Sequence, residues 1–167
     1  MATLATASGF PYPATTETPD VQRDLKALAD YLEAKSGPYT AYTPVLSQWT
    51  PGNGVGVGAY SLVGKVVHFW AKFTLGTTSA VVSTAPPILT LPVTANASQL
   101  VLSGLGSGTF LDTGTASYAS PTRLASVTTV SFPVHGTNGQ HGTPTATVPF
   151  TFAATDVLYV TGSYQAA

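Results

Sequence analysis

The sequence predicts a mainly β protein, with an N-terminal extended arm and a short α-helix followed by a jelly-roll-like antiparallel β-sandwich. Three observations carry this expectation. Helical periodicity occurs once, near the N-terminus, and does not return. From Tyr39 onward, short runs of Val, Thr, Tyr, Phe and Leu are punctuated by Gly and Pro at the spacing of a sandwich. Charge also divides the chain: of its thirteen Asp, Glu, Lys and Arg residues, eight lie between Glu17 and Lys35.

Residues 1–18 read as an extended attachment arm, in which Phe10-Pro11-Tyr12-Pro13 places two aromatic residues before prolines that bias their backbone toward extended conformations. Thr18-Pro19-Asp20 has the chemistry of a helix start: a hydroxyl cap, a proline at the first helical position and an acid in the first turn. Ser36-Gly37-Pro38 has that of a stop. Over the intervening helix, residues 19–36, Val21, Leu25, Leu28 and Leu32 recur at steps of four, three and four and form one narrow heptad stripe. So short a helix is marginal alone, so its stripe must pack on something. It either docks on its own β domain or self-associates; the expectation is a homotrimer held through these four residues.

Residues 37–40 are the linker and 41–167 the head. The strongest strand is Lys65 to Leu75, where Val67, Phe69, Ala71, Phe73 and Leu75 alternate with Val66, His68, Trp70, Lys72 and Thr74. Other strands are expected at 42–49, 56–63, 87–92, 99–103, 108–112, 126–132, 146–152 and 156–164, with turn chemistry at Gly52-Asn53-Gly54 and Thr137-Asn138-Gly139.

Composition narrows the function. A chain of 167 residues without cysteine must rest on its core, and disulfides, thiolate metal sites and a cysteine nucleophile are excluded. Charged residues are 8% of the chain, against a usual ~25%, and the net charge is −1. Weak repulsion between copies fits a chain that hides surface in an oligomer. The Lys and Arg residues form no cluster, so no nucleic-acid partner is expected. No stretch approaches the ~20 apolar residues of a membrane span and no export signal is visible, so no membrane insertion is expected.

Candidates for chemistry are few. Beyond the helix the acids are Asp112 and Asp156, the only pair available for glycosidase-like chemistry, and both read as turn caps. The histidines are His68, His135 and His141; the last two flank a polar loop and read as solvated, with a metal site as the alternative. Gly52 to Gly58 and Gly104-Leu105-Gly106-Ser107-Gly108 open no helix and carry no phosphate-loop ending, so they read as hairpin turns. Trp70 falls with His68 on the face away from the core, as a subunit contact, a platform for a host cell-surface glycan or a residue packed under a loop. Trp49 reads as structural. The chain is expected not to be an enzyme and to need no cofactor.

The order of Phe10-Pro11-Tyr12-Pro13, Thr18-Pro19-Asp20-Val21, Tyr42-Thr43-Pro44-Val45-Leu46, Gly64-Lys65-Val66-Val67-His68-Phe69 and Leu91-Pro92-Val93-Thr94-Ala95 resembles the tail-associated fibre and minor tail proteins of long-tailed bacteriophages of actinobacteria. The resemblance spans residues 10–95 best. It implies a homotrimeric virion component whose arm and helix attach or trimerise the chain, with other tail or capsid proteins as partners, and whose β head faces the host. The family's long shaft is missing, so a capsid decoration or head-fibre protein docked by its arm fits the same residues.

Overall fold

A computed structural model describes residues 3–4, 11–12, 21–35, 39–82, 84–101, 103–136 and 140–167. In chain order its elements are β1 (Thr3–Leu4), β2 (Pro11–Tyr12), α1 (Val21–Lys35), β3 (Thr40–Tyr42), β4 (Leu46–Ser47), β5 (Val55–Val63), β6 (Val66–Thr74) and β7 (Ile88–Thr90). A 3₁₀ turn (Ala97–Val101) leads into β8 (Ser103–Asp112), β9 (Ala116–Ser126), β10 (Thr129–Ser131), β11 (Val134–His135), β12 (His141–Gly142) and β13 (Val157–Gln165).

Alternation builds the centre of the head. In β6 the side chains of Val67, Phe69, Ala71 and Phe73 are buried, while Val66, His68 and Lys72 between them are exposed. β5 and β6 form a hairpin closed by Gly64 and Lys65, with Val63 opposite Val66 and Gly64 at φ 62. That geometry, with positive φ at the first loop position only, is a type II′ turn, whose twist matches the strands. Asp112 to Thr115 closes β8 on β9, with Gly114 at φ 85 and the Thr115 N–H donating to the Asp112 carbonyl at 3.0 Å, as in a type II turn.

Nine strands join in one antiparallel sheet, in the order β3-β5-β6-β13-β8-β9-β10-β7-β4. Its two edges, β3 and β4, are separated by only Thr43, Pro44 and Val45. That link spans at most about 14 Å. A flat sheet of this width would measure about 38 Å across. The sheet must therefore roll until its edges approach, and the core fills the inside of the roll. Phe69, Phe73, Phe110, Phe132, Leu89, Leu158, Val160 and Trp49 are buried there. Complete burial of Phe110 and Phe132 contributes about 2–3 kcal/mol each. β13 lies between β6 and β8, hydrogen-bonded on both sides, so the last strand of the chain locks its centre.

The structure alters several expectations. The mainly β character holds, and the nine strands run as one continuous rolled sheet in which β13 bridges β6 to β8. The strand expected at 42–49 is two short strands interrupted at Thr43-Pro44-Val45, since proline has no ladder donor and Pro44 is buried at the corner. Residues 99–101 belong to the 3₁₀ turn, where the Asn96 side chain accepts from Ser98 N–H at 3.0 Å. The run Gly104-Leu105-Gly106-Ser107-Gly108 is strand, not turn: a Cβ at Gly106 would collide with the Thr161 carbonyl of β13, so close backbone approach demands glycine. Residues 116–126 are a long strand that the sequence reading leaves blank. Residues 146–152 form no strand; a bridge pairs Thr145 with Val148, and the Val148–Pro149 peptide is cis. Gly52-Asn53-Gly54 is the expected turn and leads into β5, but Gly52 to Gly58 is not a hairpin turn: β4 and β5 do not pair, and Gly56 and Gly58 are strand. The Gly54 N–H donates to Pro51 at 2.9 Å and the Asn53 carboxamide oxygen accepts from Thr78 N–H at 3.0 Å, tying this turn to the 76–79 loop.

At the N-terminus, β1 and β2 pair antiparallel, Thr3 opposite Tyr12 and Leu4 opposite Pro11. Phe10, Pro13, the helix start at Thr18-Pro19-Asp20, the stop at Ser36-Gly37-Pro38 and the turn at Thr137-Asn138-Gly139 lie outside the described residues. α1 itself begins at Val21 and ends at Lys35, about 22 Å of helix.

Candidate functional site

The helix presents its stripe outward. Val21 is 67% exposed, Leu25 60% and Leu32 50%, while Leu28 is half-buried. The core cluster draws all its residues from positions 46–166 and none from α1. Polar residues complete the surface: Lys26 Nζ reaches the Asp30 carboxylate at 2.8 Å, and the hydrogen bond and charge of Asp30 raise the lysine pKa. This exposed pair adds little to stability.

The second surface is the outside of the roll. Pairing register places Ala59, Trp70, Thr161 and Ser107 in one row across β5, β6, β13 and β8, and Val57, Lys72, Tyr159 and Thr109 in the next. The row beyond holds Val55, Thr74, Val157 and Leu111. Trp70 is half-buried among these neighbours, and His68 is exposed one row away, opposite Ser61 and Ser163. Val55, Val57, Leu111 and Tyr159 are exposed. Through these rows Lys72 is the only charged residue. The five long strands β5, β6, β13, β8 and β9, at ~4.8 Å spacing and about 27 Å or more in length, give roughly 650 Å², close to one side of a standard protein interface. Lys65–Leu75 alternation points to Trp70 and His68; Tyr159 and Leu111 escape the sequence reading because only the register of β13 and β8 brings them alongside.

The candidate catalytic acids are not brought to such a surface. Asp156 is buried; its Oδ1 accepts from the Thr113 N–H at 3.0 Å and its Oδ2 from the Ala153 N–H at 2.7 Å. Both oxygens thus hold turn backbone. Asp112 ends β8 at the turn that Asp156 fastens. Trp49 is in the core, stacked on Phe110 and edge-on to Phe152, with its Nε1 donating to the Ala85 carbonyl at 3.3 Å.

Inside one end of the roll is a tyrosine cluster. The Tyr164 hydroxyl donates to the Val93 carbonyl at 2.7 Å, and its ring meets Phe69 edge-on. Burial pushes its pKa up to about 12, against the lowering effect of the Val93 backbone hydrogen bond. Burial also pushes the Tyr42 hydroxyl well up, with Tyr164 adding to the effect, and among the described residues that hydroxyl has no hydrogen-bond partner. Two sheltered neutral phenols contribute packing here.

β11 and β12 form a separate short hairpin that sets His135 opposite His141. Beside it lies a cleft of about 450 Å³ lined by Ser117, Tyr118, Ala119, Val134, His135, Val148 and Pro149. Tyr118 stacks on Phe150 at 5.1 Å. Nothing in the sequence marks this cleft, because Tyr118 belongs to the strand that the reading leaves blank. Among the described residues no group of three or more His, Cys, Asp or Glu gathers as a metal centre, and no helix is long and apolar enough to cross a membrane.

No protein-family model matches the chain, and neither a curated protein nor a solved structure matches it.

Proposed function

We propose that this chain is a structural bacteriophage virion protein, a homotrimeric tail fibre or minor tail component located in the virion, and not an enzyme. Its arm (residues 1–18) attaches it to other virion proteins, its helix joins copies, and the rolled β head is the jelly-roll-like display module that meets the host surface. The observation that carries the reading is a pair of exposed apolar surfaces: a helix stripe whose Val21 and Leu25 stand exposed outside the core, and a broad sheet face around Trp70 with one charged residue. Large exposed apolar patches mark surfaces made to be covered. Copies linked in a trimer would also bind a host glycan through valency, without a deep pocket.

A capsid decoration or head-fibre role uses the same surfaces and differs in where the arm docks. A carbohydrate-binding reading is favoured by one observation, the Tyr118 cleft, because a stacked tyrosine at a cleft wall is a platform for a sugar ring. A hydrolytic role would fall on Asp156 or Asp112, and the Asp156 carboxylate is already committed to two amides.

The test is to raise antibody against the β head and label purified particles of the phage that encodes the chain. Label at the tail tip or fibres is the expected outcome, label over the capsid selects the decoration role, and particles free of the chain contradict a virion protein.

A further inference from the structure

The hairpin of β11 and β12 carries a pair of histidines in a geometry that neither the core nor the oligomer surfaces use. His135 lies directly opposite His141, and the Gly136 N–H donates to the Gln140 carbonyl at 2.7 Å. That bond makes Gly136 and Gln140 a hydrogen-bonded pair, and alternation along an antiparallel ladder then makes His135 and His141 a non-hydrogen-bonded one. Such pairs bring Cα atoms to about 4.5 Å and side chains to their closest approach on one face.

The two rings are 5.9 Å apart between centres and inclined at 70°. Two imidazoles that share one ion at ~2.1 Å from each nitrogen have ring centres about 5 to 6 Å apart. Both side chains are exposed, and among the described residues neither ring nitrogen is held by a hydrogen bond or ion pair. Their lone pairs are therefore available.

We propose that His135 and His141 form a chelate for a divalent transition ion across the hairpin. Imidazole selects borderline ions such as Zn²⁺ and Ni²⁺. No carboxylate joins the pair among the described residues, so Ca²⁺ and Mg²⁺, which require oxygen ligands, are not its occupants. Two protein ligands leave the remaining positions to water or to donors from outside the chain. Because His135 also lines the Tyr118 cleft, the ion stands at the cleft rim with those positions open. A strand pair of two residues each gains a cross-link that its own short ladder does not provide.

The experiment is calorimetric titration of the full-length, untagged protein with ZnCl₂ and, separately, NiCl₂, beside His135→Ala, His141→Ala, His135→Asn and His68→Ala. The expected result is saturable binding that weakens at least about tenfold in each variant at 135 or 141 and is unchanged in His68→Ala; loss of a supporting hydrogen bond alone costs a metal site ~10-fold or more. Absence of binding for both ions, or binding unaffected by the 135 and 141 variants, overturns the proposal. Binding that disappears in His68→Ala overturns it equally, by moving the site to β6. The Asn variant keeps a polar side chain of similar reach, so that a loss shared with the Ala variant reports the imidazole and not the hairpin's fold.

Discussion

The carboxylate of Asp156 accepts from two backbone amides in a turn that contains Thr155 at φ 77. A β-branched residue in left-handed backbone is costly, and the surrounding bonds hold it there. The Thr155 carbonyl accepts from the Thr113 hydroxyl at 2.7 Å, and the Thr155 N–H donates to Leu75 at 2.8 Å. Asp156→Ala removes both carboxylate acceptors and leaves the Thr113 and Ala153 amides without theirs. Its expected cost is about 3 kcal/mol, read as a lower urea midpoint with unchanged slope. A change below about 0.5 kcal/mol would show that water replaces the carboxylate and that the residue is free for another role. The capping role of this aspartate was legible in the sequence from its place beside a turn. Its partners were not, since Thr113 lies far along the chain and meets it only through the β8–β13 pairing.

At the scale of the element, strands with clean alternation were legible: Val66–Thr74, Val55–Val63 and Val157–Gln165 match their expected positions within a residue or two. Those whose pattern was interrupted were not. β9 carries Pro121 and small residues, Ala-Ser-Tyr-Ala-Ser, that give period-two hydrophobicity too little contrast. β8 opens with glycines that look like a turn until the close approach of β13 explains them. The helix was legible from its heptad spacing, and its consequence is testable here. Leu25 is exposed in the single chain, so Leu25→Asp leaves the fold of that chain undisturbed, yet it sets an unpaired charge in any helix seam. The expected result is dissociation of the oligomer, by several kcal/mol, with an unchanged far-ultraviolet circular dichroism spectrum. An unchanged oligomer would assign the assembly to the sheet face around Trp70.

At the scale of the whole molecule, the mainly β character with one helix was legible, whereas the path of the sheet was not. Closure depends on three residues, Thr43-Pro44-Val45, that connect opposite edges, and on the last strand entering between β6 and β8. The entry of β13 is a long-range pairing, and the short link closes the roll only once all nine strands are paired, so no local pattern encodes either. The outer face of the roll is likewise a product of register: rows such as Ala59-Trp70-Thr161-Ser107 exist only once four distant segments align. The rolled head has its own core, entirely within residues 46–166, so it can be separated from the helix without loss of that core. The direct test of the central claim, that this chain is built to assemble, is the solution mass by light scattering of the full-length protein beside a version lacking residues 1–36. The expected mass is about three times 17.1 kDa for the full-length protein, with a loss of subunits on truncation; a full-length monomer of 17.1 kDa at micromolar concentration would contradict a trimer.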